Sequence, residues 1–197
     1  MKDDYIEVID DFLEPSYFKN LYETVTSTNF PWFYSENISN SEHRQVSING
    51  NSSYKLLGFS HSVCDGEEVD SKGMYPLLCP FAWKIVDHVG GSEIMRIRFD
   101  MTIFTESGLV HEPHVDYLDT PHYSAVFYLT ESDGPTIIFN EKYDYDSGYP
   151  ERKLTIKEAI QPKPNRIVIF DGSYIHTGNP PTESFSRRII INTNIEP

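Results

Sequence analysis

At 197 residues the chain is long enough for one domain with a sizeable core and too short for two. Thirty acidic residues against sixteen basic ones leave a formal charge of −14, which repels nucleic-acid phosphates and anionic lipid and so argues against nucleic acid or membrane as partners. Two isolated cysteines, no basic leader ahead of an apolar stretch and no apolar run longer than a strand point to a soluble protein of a reducing, cytoplasmic compartment.

Residues 5 to 9 alternate as a short strand. Pro15 then opens a helix that sets Phe18, Leu21, Tyr22 and Val25 on one face. Residues 35 to 73 are rich in Ser, Asn and Gly and read as loop with two weak strands at most. Leu78, Phe81, Ala82, Ile85, Val86 and Val89 form the stripe of a second helix, ended by Gly90-Gly91. From residue 93 the period changes to two. Between Glu93 and Thr105, Ile97, Phe99, Met101 and Ile103 share one face, and Arg96, Arg98, Asp100 and Thr102 the other. Strands follow over Tyr123 to Thr130, Thr136 to Phe139, Arg166 to Phe170 and Arg187 to Ile195, with a tight turn at Asp133-Gly134. The charged stretch from Glu141 to Gln161 reads as an excursion with a short helix near Lys157 to Ile160.

No repeat or linker divides the chain. The expectation is one domain over 1–197, with a helical support over about 1–92 and a barrel over about 93–197. Two helices followed by at least five short strands fit a mostly β fold with packing helices, a double-stranded β-helix or jelly roll.

The chemistry concentrates in the second half. His114-Val115-Asp116 followed by His176 supplies two imidazoles and one carboxylate, a set that holds iron(II) on one face and leaves the other open. His-x-Asp alone is a frequent accident, but Gly108 and Pro113 make a loop entry that turns both donors one way. His111 and His122 compete with His114; His111 fits a solvent or substrate contact, and His122 fits the start of the next strand. His176 sits between two turns, where an ordinary hydrogen-bonded histidine is the plain alternative. In Arg187-Arg188-Ile189-Ile190-Ile191-Asn192, alternation puts Arg188 with Asn192 and Asn194 on one face, so Arg188 is the cation expected to meet a carboxylate, with Arg187 as the alternative.

These residues resemble the iron(II)/2-oxoglutarate-dependent dioxygenases, in particular the small prolyl-4-hydroxylase-like branch. The resemblance runs over about residues 93 to 195. It rests on the His-x-Asp, on Tyr128 to Phe139, on Asn165 to Gly172 leading to His176, and on the basic strand ending Ile191-Asn192-Thr193-Asn194. Val8 to Leu13 and Phe30-Pro31-Trp32 look like the entry segment of such proteins.

The resemblance implies Fe(II) held by His114, Asp116 and His176, with 2-oxoglutarate and O2 as co-substrates and ascorbate as reductant. It implies Arg188, and the Tyr128 hydroxyl, on the distal carboxylate of 2-oxoglutarate. It further implies hydroxylation of a C–H bond in a peptidyl residue or small metabolite, with release of succinate and CO2. Related halogenases lack the carboxylate, so Asp116 favours hydroxylation. Phe104 departs from the pattern, since prolyl hydroxylases carry a tyrosine there, and this puts the prolyl substrate class in question. Short acidic members are similar to bacterial and phage proteins, which places this one in a bacterial or phage-infected cytoplasm. Oligomeric state is not legible. Two rivals remain, a non-catalytic jelly-roll binding module and a cupin-type metal dioxygenase that does not use 2-oxoglutarate.

Overall fold

A computed structural model of the chain describes residues 4–38, 47–48, 51–54, 57–105, 109–151 and 153–197. Residues 1–3 and Gly108, both used in the sequence reading, lie outside them. In chain order the described elements are β1 (Ile6–Ile9), α1 (Pro15–Thr26), β2 (Phe33–Ser35), β3 (Ser47–Ile48), β4 (Asn51–Tyr54), β5 (Gly58–Asp65), α2 (Tyr75–Val89), β6 (Ile94–Ile103), β7 (Val110–His111), β8 (Tyr123–Tyr128), β9 (Thr136–Lys142), β10 (Ile156–Ile160), β11 (Arg166–Asp171), β12 (Tyr174–Gly178) and β13 (Arg187–Ile195).

Seven strands form a large antiparallel sheet in the order β1-β11-β8-β13-β6-β5-β2. Three form a smaller one, β10-β9-β12, and β3-β4-β7 make a short third group. From β8 onward the chain crosses repeatedly between the large and small sheets, and side chains of both meet in one cluster: Val126, Tyr128, Val168, Phe170 and Ile190 from the large sheet, Ile138, Ile160 and Tyr174 from the small. The result is the expected jelly roll, mostly β with two packing helices.

The central strands β8, β11 and β13 of the large sheet are buried on both faces. Alternate residues Ala125, Phe127, Ile167, Ile169, Ile189 and Ile191 point instead to the helices, where they meet Leu21, Val25, Phe81 and Ile85. Two buried faces explain why these strands read as unbroken apolar runs. Each fully buried Phe or Ile side chain contributes roughly 1.5–3 kcal/mol.

Both helices form where the spacing sets them. All six stripe residues of α2 are buried, and Gly90 ends the helix at φ 71°. On α1 only Leu21 and Val25 are buried; Tyr22 stands at the rim, 38% exposed. Among the described residues no helix is long and apolar enough to cross a membrane.

Three expectations need correction. The helix near Lys157 to Ile160 is strand β10: its helix-favouring Lys, Glu and Ala face solvent at a sheet edge, and pairing with β9 overrides local preference. The polar stretch from 35 to 73 contains β5, an eight-residue strand between β2 and β6. Its alternation is broken by a bulge between Ser62 and Cys64, which buries Val63 and Cys64 in succession. Segment 1–92 therefore supplies β1, β2 and β5 to the large sheet as well as two helices. Asp133-Gly134 lies where the chain passes from the large sheet to the small one. A Cβ at Gly134 would stand 2.3 Å from the Asn179 carbonyl oxygen, so only glycine fits that crossing.

Asn165 fixes the entry segment to the barrel. At φ 64° its side chain accepts from the Leu13 N–H and donates to the Leu13 carbonyl, both at 2.8 Å, while its own carbonyl accepts from Phe12 N–H at 2.9 Å. Asn tolerates this left-handed backbone where most residues do not. Asn165→Ala should lower the unfolding free energy by about 2–4 kcal/mol in urea titrations, because two buried hydrogen bonds are lost at a strained position. Asn165→Gly should recover about 1 kcal/mol of that, by removing the strain alone.

Candidate metal centre

His114 follows β7 and is tied to the middle of β12 by the backbone. The His114 N–H donates to the His176 carbonyl and the His176 N–H to the His114 carbonyl, each at 2.9 Å. The pairing sets the two imidazoles side by side, with ring centroids 4.7 Å apart. His176 is thus a strand residue, not one between two turns. Asp116, two residues past His114, brings its carboxylate to the same point, and one donor atom from each of the three lies within 4.8 Å of the others.

Each imidazole is oriented by a carbonyl behind it. Nδ1 of His114 lies 3.0 Å from the Glu112 oxygen, and Nδ1 of His176 lies 3.1 Å from the Tyr174 oxygen. A carbonyl only accepts, so in each neutral ring Nδ1 carries the proton and Nε2 presents its lone pair. Burial, reinforced by the neighbouring His176 ring, pushes the His114 pKa down to about 3.

Burial alone would raise the pKa of Asp116, but the Arg96 guanidinium and the nearby imidazoles hold it well below the usual carboxylate range. Four donors orient this carboxylate. Oδ1 accepts from Arg96 Nη2 at 2.8 Å and Asn192 Nδ2 at 3.2 Å; Oδ2 accepts from Ser124 Oγ at 2.7 Å and Asn194 Nδ2 at 2.9 Å. Two neutral nitrogen lone pairs beside one ionised carboxylate form a donor set that suits iron(II).

The triad histidines open on a cavity whose walls include Arg98, Asp100, Thr102, His111, Thr136, Gly178, Arg188 and Asn192. Arg188 is 4% exposed, whereas Arg187 faces solvent. Burial lowers the Arg188 pKa, and no carboxylate among the described residues stands within ion-pair distance of it. Its Nη2 donates to Thr136 Oγ1 at 2.8 Å, and it lies over the Tyr128 ring, 5.6 Å from the centroid. Gly178 makes room: a Cβ there would approach one guanidinium nitrogen to 3.0 Å. The Tyr128 hydroxyl donates to the same Thr136 oxygen at 2.7 Å, so this tyrosine sits beneath the cation rather than among the cavity-lining residues.

The other singled-out residues fall in several places. His111 is buried and lines the cavity. His122 is buried just ahead of β8, its Nδ1 3.0 Å from the Thr120 carbonyl. Phe104 is 43% exposed and lines a surface groove with Phe185, away from the triad. No described residue of the excursion from Glu141 to Gln161 lines the cavity. Sequence reasoning missed Thr136 and the three polar supports of Asp116 on β8 and β13. The signal for two of these was present, because alternation already placed Asn192 and Asn194 on the face of Arg188.

Residues 101–196 match the family model of the 2OG-Fe(II) oxygenase superfamily. No curated protein matches the chain in sequence. Among solved structures it is similar to an oxidoreductase of the 2OG-Fe(II) oxygenase family from Burkholderia pseudomallei, with TM-score 0.65 and 10% identity, over 97% of this chain and 84% of that one. It is also similar to a Pseudomonas putida prolyl-4-hydroxylase, with TM-score 0.56 and 12% identity over 99% and 94% of the two chains. A viral collagen prolyl hydroxylase from Paramecium Bursaria Chlorella virus-1 gives TM-score 0.53 and 14% identity over 98% and 96%. At such identities the structural likeness establishes the fold. The matched segment contains His114, Asp116, Tyr128, His176 and Arg188.

The electrostatics of the centre set a pH dependence. His114 titrates near 6.5 in an unfolded chain and near 3 here, so the unfolded chain takes up the proton first as pH falls. Stability present at neutral pH is therefore lost between about 6.5 and 3. In metal-free protein, moving from pH 7 to pH 5 should reduce the unfolding free energy by on the order of 1–2 kcal/mol. His114→Gln should flatten that step. Asp116, held below its ordinary value, adds to the loss only under about pH 4.

Proposed function

We propose that this protein is an Fe(II)- and 2-oxoglutarate-dependent hydroxylase acting on a C–H bond of a small metabolite or peptidyl residue. His114, Asp116 and His176 would hold the iron. The observation that carries the co-substrate assignment is Arg188, a buried guanidinium with no counter-charge among the described residues, facing the same cavity as the triad histidines. A dicarboxylate reaching from the metal to this cation would supply the missing charge, and the guanidinium fork matches a carboxylate with two parallel bonds. Thr136, already accepting from both Arg188 and Tyr128, keeps its own hydroxyl proton free to donate to that carboxylate.

When bound, iron with 2-oxoglutarate and O2 supplies the oxidising power for hydroxylation, with succinate and CO2 as by-products and ascorbate as reductant. The residues of the chain bind and orient. The Glu112 and Tyr174 carbonyls fix the imidazole tautomers, the donors around Asp116 fix its carboxylate plane, and Val126 and Ile190 line the space between metal and cation, where they exclude water. The formal charge of −14 keeps nucleic acid an unfavourable substrate in this reading.

Succinate formation from 2-oxoglutarate with Fe(II), O2 and ascorbate tests the proposal and separates it from a binding module or a cupin-type dioxygenase. His176→Ala should abolish succinate formation and weaken iron binding; wild-type iron affinity in this variant would refute the ligand assignment. Arg188→Ala should raise the KM for 2-oxoglutarate more than about a hundredfold, equivalent to about 3 kcal/mol. Arg187→Ala should change it little, and the reverse pattern would move the anchor to Arg187.

A further inference from the structure

One wall of the cavity carries polar groups that neither the metal nor the co-substrate would use. β6 sets Arg98, Asp100 and Thr102 on the face it shares with Arg188 and Asn192, Asn192 lying opposite Arg98 and Ile190 opposite Asp100. Arg98 Nη2 donates to Asp100 Oδ2 and to the Ile38 carbonyl, both at 3.0 Å. Its Nε stands 2.8 Å from Asp100 Oδ1, which makes the two side chains a buried ion pair. Asn192 gives its Nδ2 to Asp116, a carboxylate that can only accept. That bond fixes the amide orientation and leaves Asn192 Oδ1 buried with no donor.

One buried acceptor, Asn192 Oδ1, therefore stands without a donor beside the Arg98–Asp100 ion pair. 2-Oxoglutarate carries keto and carboxylate oxygens only, so it cannot donate to Asn192 Oδ1. A buried polar atom without a partner is unfavourable, and the group that relieves this acceptor must bring N–H or O–H. The wall itself is an ion pair with no net charge. A simple cation or anion placed against it would leave one charge uncompensated, whereas a zwitterion adds none.

We infer that the substrate is a small zwitterion of the free amino-acid type, its ammonium taken by Asp100 and Asn192 and its carboxylate balanced by Arg98. The inference rests on the oxygenase reading above and narrows its substrate class. A prolyl residue within a peptide has no N–H and offers these acceptors nothing.

The test offers the wild-type protein, with Fe(II), 2-oxoglutarate and O2, the common free L-amino acids and their N-acetyl derivatives. Succinate and a product heavier by one oxygen atom are the readouts. Binding of the same compounds to the Fe(II)- and 2-oxoglutarate-loaded protein without O2 is measured by calorimetry. At least one free amino acid should bind and stimulate turnover about tenfold or more above its N-acetyl form, the advantage of a charge-assisted pair. Asp100→Asn should raise the KM for that amino acid by a similar factor and bring the free and acetylated forms within about twofold of each other. Asp100→Glu, which restores the charge, should recover part of the preference.

Equal response to free and acetylated compounds, response to prolyl peptides alone, or no binding of any free amino acid would overturn the inference. Anaerobic binding with the expected preference but no succinate would count against the oxygenase reading and leave the wall assignment standing. Succinate formation that ignores the ammonium would do the opposite.

Discussion

A carboxylate cannot be buried alone, and the interior of this barrel is organised around that constraint at Asp116. Its compensation comes from three adjacent strands of the large sheet: Arg96 on β6, Ser124 on β8, and Asn192 and Asn194 on β13. Four polar side chains from these strands converge on one pair of oxygens. The other two members of the triad reach the same point through the reciprocal backbone bridge between His114 and His176, which belongs to the small-sheet side. The candidate metal centre is thus a joint between sheets. A change in their relative position would misplace the two histidines against the carboxylate, because each side is anchored to its own sheet.

Much of this was legible because the decisive strands obey simple alternation. On β13, period two separates Arg188, Ile190, Asn192 and Asn194 from Arg187, Ile189, Ile191 and Thr193, and the buried Arg188 beside an exposed Arg187 follows that division. The α2 stripe and its glycine stop were equally direct, since one apolar face of a helix and a left-handed cap both leave a local mark. Phe99 and Arg98, one residue apart on β6, point to core and cavity for the same reason.

What stayed hidden depended on partners far along the chain. β10 is built from Lys, Glu and Ala, and only the neighbouring β9 makes it a strand. β5 carries Ser60 and Ser62 where an isolated strand would be expected to carry apolar residues, and its register is disturbed by a bulge. The role of Arg96 is likewise invisible locally: nothing in Arg-Ile-Arg-Phe-Asp distinguishes a guanidinium that pairs with Asp116, twenty residues ahead, from one that pairs with Asp100 two positions from it. Thr136 opens a strand like many threonines do, and it gains its place only because Tyr128 and Arg188 both turn their donors toward it.

The three interior guanidiniums then divide by their compensation. Arg96 is matched by Asp116 and is thereby committed to holding a triad carboxylate. Arg98 is matched by Asp100 across a wall that stays neutral. Arg188 alone has a neutral threonine and an aromatic ring as neighbours, which support a cation without cancelling it. Since burying an unpaired charge is unfavourable, a site that keeps one is stabilised most by the anion that fills it. The same reasoning assigns no net charge to whatever meets the Arg98–Asp100 wall. Under the proposed function this electrostatic pattern would sort the two reactants before shape does: a dianion toward the lone cation, and a molecule of balanced charge toward the ion pair.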